Sequence, residues 1–327
     1  MRYITVGIAL ICIVGVWVVE VCAEKNQWEF SGVTTIKIDG VSGDVVIRAA
    51  DGKKGRVELK ADVHPPENFR AEVEQDGKKL YIDEDFRGGN TSGPVEWTIY
   101  LPKGREIPTI RISNASGDFD CKGVACEIDL NTASGDIELL DVKLARGSKL
   151  NTASGDFTIE KMTVREDTKF STASGDIELV DVTIEEDCRF STASGNIECR
   201  QSRCMDDVGL SSASGDVVVK DTELLGEGEF SSASGDVSVY FSRLPKTDFT
   251  ASSASGDVLL DVENFGDDFT LIMVKREDRG RISCPFEYTD EDTFEDHHVY
   301  EEKIVKRGSG RPVIELRTAS GKVVVKD

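Results

Sequence analysis

The sequence predicts an all-β protein that folds as a parallel β-solenoid, a single-stranded β-helix with about 20 residues in each coil. Three observations lead to this prediction. A Ser-Gly-Asp motif recurs at a nearly fixed step, a large apolar residue precedes most copies, and apolar residues alternate after each copy. Because so short a unit cannot bury a core alone, neighbouring units must stack and share one.

The Ser-Gly-Asp repeat is regular along more than a hundred residues. Its serine recurs at steps of 18 residues once, 20 residues five times and 21 residues once. These serines are Ser116, Ser134, Ser154, Ser174, Ser194, Ser214, Ser234 and Ser255. Isolated copies occur at Ser42 and, with Lys322 in place of the aspartate, at Ser320. The equal steps predict that each copy occupies the same place in its coil.

Large apolar residues four positions before the serine predict one interior column. They are Leu130, Leu150, Phe170, Phe190, Leu210 and Phe230, with Phe249 displaced in the longest repeat. After the motif, pairs such as Ile137 and Leu139 alternate with other residues, and a second pair such as Val142 and Leu144 follows. A period of two is typical of strands that bury one face.

The glycine of each motif predicts a sharp corner, because glycine adopts the positive φ of a tight turn without steric cost. The predicted structural turns are Gly117, Gly135, Gly155, Gly175, Gly195, Gly215, Gly235 and Gly256. The serine and aspartate beside each glycine are expected to hydrogen-bond to the local backbone. These roles explain the motif without any ligand.

A second interpretation treats the aspartates of the motif as a cation site, since stacked coils would place them one strand spacing apart. The row comprises Asp118, Asp136, Asp156, Asp176, Asp216, Asp236 and Asp257, and Asn196 interrupts it. Calcium binds clustered carboxylate oxygens and would relieve their repulsion. We favour turn capping, keep calcium as the one candidate cofactor, and assign no catalytic residue.

Four of the eight cysteines respect the register of the repeat, at five and ten residues after a motif serine. They are Cys121, Cys126, Cys199 and Cys204. The same positions of other repeats are apolar, so these thiols are expected to face the core. We favour one disulfide within each coil over free buried thiols, because an exported chain permits disulfides. The pairing of Cys188 and Cys284 is left open.

Residues 1–23 have the layout of a signal peptide. Arg2 precedes an uncharged run of 16 residues, from 4 to 19, and Ala23 provides a small residue for cleavage. A spanning helix needs roughly 17 to 25 apolar residues, so cleavage is favoured over an uncleaved anchor. We assign residues 24–110 to a β-rich part that caps the solenoid, residues 111–261 to the repeats, and residues 262–327 to an acidic loop and a closing coil.

The formal net charge of −22 restricts the partners. An acidic surface repels nucleic-acid phosphates and anionic lipids, so nucleic acid is excluded and membrane contact is expected only through an uncleaved leader. With 61 acidic residues, chance carboxylate pairs carry no evidence for glycosidase chemistry. No nucleophile-elbow or zinc-protease motif occurs, and the uniform repeats also predict a protein that is not an enzyme.

Four segments carry a resemblance to a known family: residues 35–45 (TIKIDGVSGDV), 99–104 (IYLPKG), the Ser-Gly-Asp ladder, and 318–323 (TASGKV). On these the chain resembles a bacterial family of adhesin-like repeat domains, a domain of unknown function found in exported proteins. The resemblance spans residues 30–327. It implies a β-solenoid located at the cell surface, in the periplasm or in the medium.

We therefore expect an exported, non-enzymatic, adhesin-like rod. It would present repetitive polar faces, including the Thr/Ser columns and the Asp row, to a glycan, a protein or an envelope component. One alternative is a structural or envelope-stress-linked periplasmic protein without a ligand. Another is a polysaccharide-active β-helix enzyme.

Overall fold

A computed structural model describes residues 16–20, 26–40, 42–88, 90–102, 108–145 and 147–327. The predicted leader lies outside the described residues except for a strand at Val16–Glu20, so cleavage after Ala23 stays a prediction. The described residues form 34 strands and one 3-10 helix, Pro66–Asn68. None of their helices has the length and apolar character needed to cross a membrane.

The strands fall into three consecutive groups. The N-terminal strands are β1 (Val16–Glu20), β2 (Asn26–Phe30), β3 (Thr35–Asp39), β4 (Asp44–Ala50), β5 (Gly55–Ala61), β6 (Phe69–Asp76), β7 (Lys79–Phe86), β8 (Val95–Pro102) and β9 (Thr109–Ser116). The strands of the repeats are β10 (Phe119–Lys122), β11 (Ala125–Ser134), β12 (Ile137–Leu140), β13 (Lys143–Leu144), β14 (Lys149–Thr152), β15 (Phe157–Glu160), β16 (Thr163–Val164), β17 (Thr168–Thr172), β18 (Ile177–Val180), β19 (Thr183–Ile184), β20 (Cys188–Thr192), β21 (Ile197–Arg200), β22 (Arg203–Cys204), β23 (Val208–Ser212), β24 (Val217–Leu224), β25 (Gly228–Ser232), β26 (Val237–Phe241), β27 (Phe249–Ser253) and β28 (Val258–Asp261). The C-terminal strands are β29 (Phe269–Arg276), β30 (Arg281–Ser283), β31 (Asp290–Asp296), β32 (His298–Arg307), β33 (Val313–Thr318) and β34 (Lys322–Lys326).

The repeats form the predicted parallel β-solenoid, and each coil has three faces. The strand that leads into Ser-Gly-Asp lies on the first face, the strand after the motif on the second, and a short strand on the third. Equivalent strands pair in parallel and in register, for example β17 with β20, β18 with β21 and β19 with β22. Each side chain therefore stacks on its equivalent from the next coil.

The longest repeat keeps the interior filled by exchanging two positions. Ala251 lies opposite Phe230 in the column of large apolar residues, and Phe249 lies opposite Gly228 two residues earlier. The Phe249 ring reaches back to within 6.1 Å of the Phe230 ring, between ring centroids. Small residues at Gly228 and Ala251 thus leave space for the displaced ring.

The N-terminal strands extend the first and second faces of the rod. β3 pairs in parallel with β9, and β4 pairs in parallel with β10, so their apolar residues continue the interior columns. Antiparallel strands then continue these two sheets, with β6 beside β7 and β5 beside β8. That these strands cap the open end of the solenoid stays a prediction.

At the other end, β33 and β34 form a final coil in register with β27 and β28. Residues 262–311 insert β29, which is parallel to β33, and a hairpin of β31 and β32 that is antiparallel to β29. The outermost strand, β31, reads DEDTFED. Charged edge strands resist pairing with other chains, so the acidic stretch protects this edge.

The structure corrects the reason for the glycine corners. Only Gly117 and Gly135 have the positive φ that was expected of all eight. At the other six the requirement is steric: a Cβ on Gly155 would lie 1.7 Å from the carbonyl oxygen of Gly135 in the preceding coil. The corner backbones stack too closely for any side chain.

Left-handed corners lie elsewhere in the coil, where the chain passes from the second face to the third. Five successive coils place a residue other than glycine there with φ between 50° and 57°. These residues are Asp141, Lys161, Asp181, Gln201 and Asp221. Aspartate tolerates this conformation better than most residues, which agrees with its appearance in three of the five coils.

Candidate functional site

One column of Thr and Ser hydroxyls is buried and serves the backbone. Thr172 Oγ1 donates to the carbonyl oxygen of Gly155 at 3.0 Å and accepts from the N–H of Gly175 at 3.0 Å. The same two bonds recur at Thr192, Ser212, Ser232, Ser253 and Thr318. The expectation that the Thr/Ser columns are presented to a ligand is therefore wrong for this column.

The Asp row also bonds from coil to coil. The N–H of Asp156 donates to Asp136 Oδ1 at 3.0 Å, and the N–H of Asp176 donates to Asp156 Oδ1 at 2.8 Å. Asn196 takes the same part, because its Oδ1 accepts the N–H of Asp216 at 2.8 Å. One side-chain oxygen is all this bond needs, which explains why asparagine fits the row. The aspartates cap the backbone of the next coil as well as shaping their own corner.

The calcium interpretation of the Asp row stays a prediction. Among the described residues, the one group of three potential ligands close enough for a single ion is Asp187, Asp206 and Asp207, at the corner between the third and first faces. Burial, followed by the neighbouring carboxylates, raises the pKa of Asp187. The predicted calcium row lies at a different corner of the coil from this group.

The six described cysteines carry free thiols. Cys121 and Cys126 are both buried in the core, and burial, followed by the neighbouring Cys126 thiol, raises the pKa of the Cys121 thiol well above its usual range. Cys199 and Cys204 are buried in one coil together with Cys188. Both predicted pairs thus face the interior, and their oxidation stays a prediction.

The outer surface of the first face carries the candidate site. A groove of about 590 Å³ lies between the last coils and the C-terminal hairpin. Its floor is made of outward serines and of the small alanines that precede each corner. These floor residues are Ser211, Ser231, Ser252, Ala213, Ala233 and Ala254. Because β23, β25, β27 and β33 are hydrogen-bonded in register, the floor is a rigid surface with one serine per coil.

Tyr300 of β32 and Arg317 of β33 form the C-terminal wall of the groove. The Arg317 guanidinium carbon lies 5.4 Å from the centroid of the Tyr300 ring, within the range of a cation–π contact. The Tyr300 ring also stacks on Phe294 of β31, with centroids 5.5 Å apart and planes 17° apart. The tyrosine is therefore held in place from two sides.

The chemistry of the groove favours binding of a polar ligand that has flat apolar surfaces. Its floor offers hydroxyls that donate and accept hydrogen bonds, and its wall offers an aromatic ring. Among the described residues that line it, none is a carboxylate, an imidazole or a thiol. Tyr300 is the one described lining residue whose side chain is among those used in general acid–base catalysis.

The sequence-based candidates and the groove overlap only in part. The Asp row and the glycine corners border the first face without lining the groove, and the cysteines lie in the core. Tyr300 and Arg317 were missed, because the hairpin that supplies the tyrosine breaks the repeat. One signal was present: Arg317 occupies the position where preceding repeats have Ser252 and Ser231.

Comparison with known proteins identifies a family. The family model described as Toastrack DUF4097 matches residues 33–271 and, in a second match, residues 167–326. No protein of curated function matches the chain significantly.

Two solved structures align with most of the chain. A putative cell adhesion protein from Clostridium sporogenes has 10% identity over 93% of this chain and 98% of its own, with a TM-score of 0.19. A putative adhesin from Bacteroides fragilis has 11% identity over 93% of this chain and 97% of its own, with a TM-score of 0.32. These TM-scores are too low for either structure to support a conclusion about this chain.

Proposed function

The chain belongs to the Toastrack family DUF4097, and we propose that it is an exported, non-enzymatic, adhesin-like protein that binds a glycan chain in the groove of its first face. The groove is the observation that carries the proposal. It extends along several coils, so an extended polymer fits it better than a compact molecule. Export is supported by the leader-like layout of residues 1–23.

Sugar chemistry matches the two surfaces of the groove. The hydroxyls of Ser211, Ser231 and Ser252 are small polar groups that match the hydroxyls of a sugar. The ring of Tyr300 provides a flat apolar surface against which the C–H face of a sugar ring packs. A small number of polar groups that converge beside an aromatic surface is typical of a small-molecule binding site.

A binding role is favoured over polysaccharide cleavage by the lining residues. Glycoside hydrolysis uses two carboxyl groups that flank the scissile bond. The described lining residues carry hydroxyls, methyl groups, one phenol and one guanidinium. A serine nucleophile would in addition need a neighbouring base, and the lining residues supply none.

The experiment is a glycan array probed with the mature chain, followed by calorimetry with the polysaccharide that binds best. Tyr300→Ala should weaken binding about threefold to tenfold, the worth of one aromatic contact. Tyr240→Ala, on the outer side of the second face, is the matched control and should leave affinity unchanged. Absence of binding to every glycan, or equal binding by both variants, would refute the proposal. Release of new reducing ends would revive the enzyme alternative.

A further inference from the structure

Arg317 is the one cation among the described residues that line the groove. Within the described part of the chain it forms one ion pair, from Nη1 to Glu315 Oε1, which is 3.8 Å long and beyond hydrogen-bond distance. Its guanidinium donates no hydrogen bond to a described residue, and 40% of its side chain is exposed. The guanidinium carbon lies 5.4 Å from the centroid of the Tyr300 ring, beside the groove. A planar fork of this kind suits a carboxylate, which it binds through two parallel hydrogen bonds.

A row of three further cations lies on the same face toward the N-terminus. Lys149 pairs with Lys169, and Lys169 pairs with Arg189, in register on neighbouring strands. All three side chains are exposed, and none forms an ion pair within 4.0 Å of a described residue. Like charges directly opposite each other across strands destabilise a sheet. The row thus places like charges on adjacent strands, in a chain whose formal net charge is −22.

The serine floor connects the two positive positions. From Arg317 the outward column runs through Ser252, Ser231 and Ser211 to Ser191. Ser191 is two residues from Arg189 on the same strand and points to the same side. Four strand spacings of about 4.8 Å put Arg189 about 19 Å from Arg317, and Lys149 lies about 29 Å away.

From this arrangement, and resting on the proposed function, we infer that the ligand is a linear acidic glycan whose sugar units carry carboxylates. The chain lies along the rod axis on the first face. One carboxylate is held by the Arg317 guanidinium, the sugar rings cross the serine floor, and later carboxylates reach Arg189, Lys169 and Lys149. At physiological ionic strength the Debye length is about 8 Å, so distant acidic residues are screened while direct contacts persist.

The experiment uses oligogalacturonates of two lengths with the full mature chain. The short one spans only the groove, and the long one reaches from Arg317 to Lys149. Their methyl-esterified forms are the matched ligands, because they differ only in carboxylate charge. We expect the long acid to bind about tenfold more tightly than the short acid, and both acids to bind more tightly than their esters.

Two variants measure the contribution of Arg317 and of the cation row to binding separately. Arg317→Gln should weaken both acids. The triple variant Lys149→Gln, Lys169→Gln and Arg189→Gln should weaken only the long acid, to the affinity of the short one. The triple variant Lys122→Gln, Lys143→Gln and Lys220→Gln changes the net charge equally on other faces and should keep the preference for length.

The outcomes distinguish this inference from the proposed function. If esters and acids bind equally and Tyr300→Ala weakens both, glycan binding stands and the acidic ligand is overturned. If the triple variant of Lys149, Lys169 and Arg189 still binds the long acid more tightly than the short one, the cation row only balances the charge of nearby acidic residues. The inference is then overturned. If neither acids nor esters bind and the glycan array is also blank, both fail.

Discussion

The repeats and the C-terminal segment use their polar side chains for different purposes. In the coils, the side-chain oxygens of Thr172 and Asp156 hydrogen-bond to backbone groups of neighbouring coils. In the C-terminal segment, Tyr300 and Arg317 leave a ring face and N–H donors toward the groove. The comparison teaches that the most repetitive residues build the rod. The aromatic wall of the groove lies where the repeat is interrupted.

The largest difference between the two regions is expected for glycine substitutions. Gly195→Ala places a Cβ 1.9 Å from the carbonyl oxygen of Gly175, so two backbones must separate. Its free energy of unfolding should fall by about 3 kcal/mol or more. Gly266→Ala, in the C-terminal segment, has no atom within 4 Å of the new Cβ and should change stability by less than about 0.5 kcal/mol. Urea unfolding measures both, and equal effects would break the comparison.

A second test compares the buried and the outer hydroxyl columns within one strand. Thr172→Val removes the donor to Gly155 and the acceptor for the N–H of Gly175. Leaving buried polar groups unpaired should cost about 2 kcal/mol of unfolding free energy. The side chain of Ser171, the preceding residue, points outward, so Ser171→Ala should change stability by less than about 0.5 kcal/mol. A Ser171→Ala variant as unstable as Thr172→Val would show that both columns support the rod.

A smaller effect tests the Asp row. Asp156→Ala removes the acceptor of the Asp176 N–H and should cost about 1 kcal/mol. Asp156→Asn keeps an acceptor, as Asn196 does, and should be within about 0.5 kcal/mol of the parent. Thermal unfolding with and without calcium decides the competing interpretation. Calcium that stabilises the parent chain but not Asp156→Asn would establish the row as a cation site.

The smallest effect is local and concerns pH. Lys275, buried in β29, contacts Glu301 of β32 at 2.7 Å between Nζ and Oε2. The hydrogen bond from Lys275 holds the pKa of Glu301 below its ordinary value of 4.5. A depressed folded pKa gives stability that is present above pH 4.5 and is lost as the pH falls through the folded pKa.

Hydrogen exchange followed by mass spectrometry should therefore show the hairpin opening in acid before the central coils do. Glu301→Gln should remove this pH dependence in the hairpin. If coils and hairpin open together, and at the same pH in the parent and in Glu301→Gln, the Lys275–Glu301 ion pair does not control the opening of the hairpin.

The fold could be predicted from sequence because its information is periodic. Alternating pairs such as Ile177 and Leu179 identify strands, and the equal step fixes their register. The steric reason for Gly155 could not be read, because it depends on how closely two coils approach. The left-handed corner at Lys161 has no glycine or asparagine to mark it.

The groove could not be predicted for a related reason. It forms only when β32 folds against β29 and brings Tyr300, in the hairpin that interrupts the repeat, beside Arg317 of the final coil. No local pattern specifies that contact. Only the replacement of serine by Arg317 in the outward column indicated that the last coil differs from the others.

Thermal unfolding with and without a bound glycan tests the central claim most directly, with the glycan being the best binder of the array. We predict that Thr172→Val lowers the melting temperature but keeps the full increase that the glycan produces. Tyr300→Ala should keep the melting temperature of the parent and lose most of that increase. If Thr172→Val loses the increase while Tyr300→Ala retains it, the ligand binds the repeats themselves and the account is contradicted.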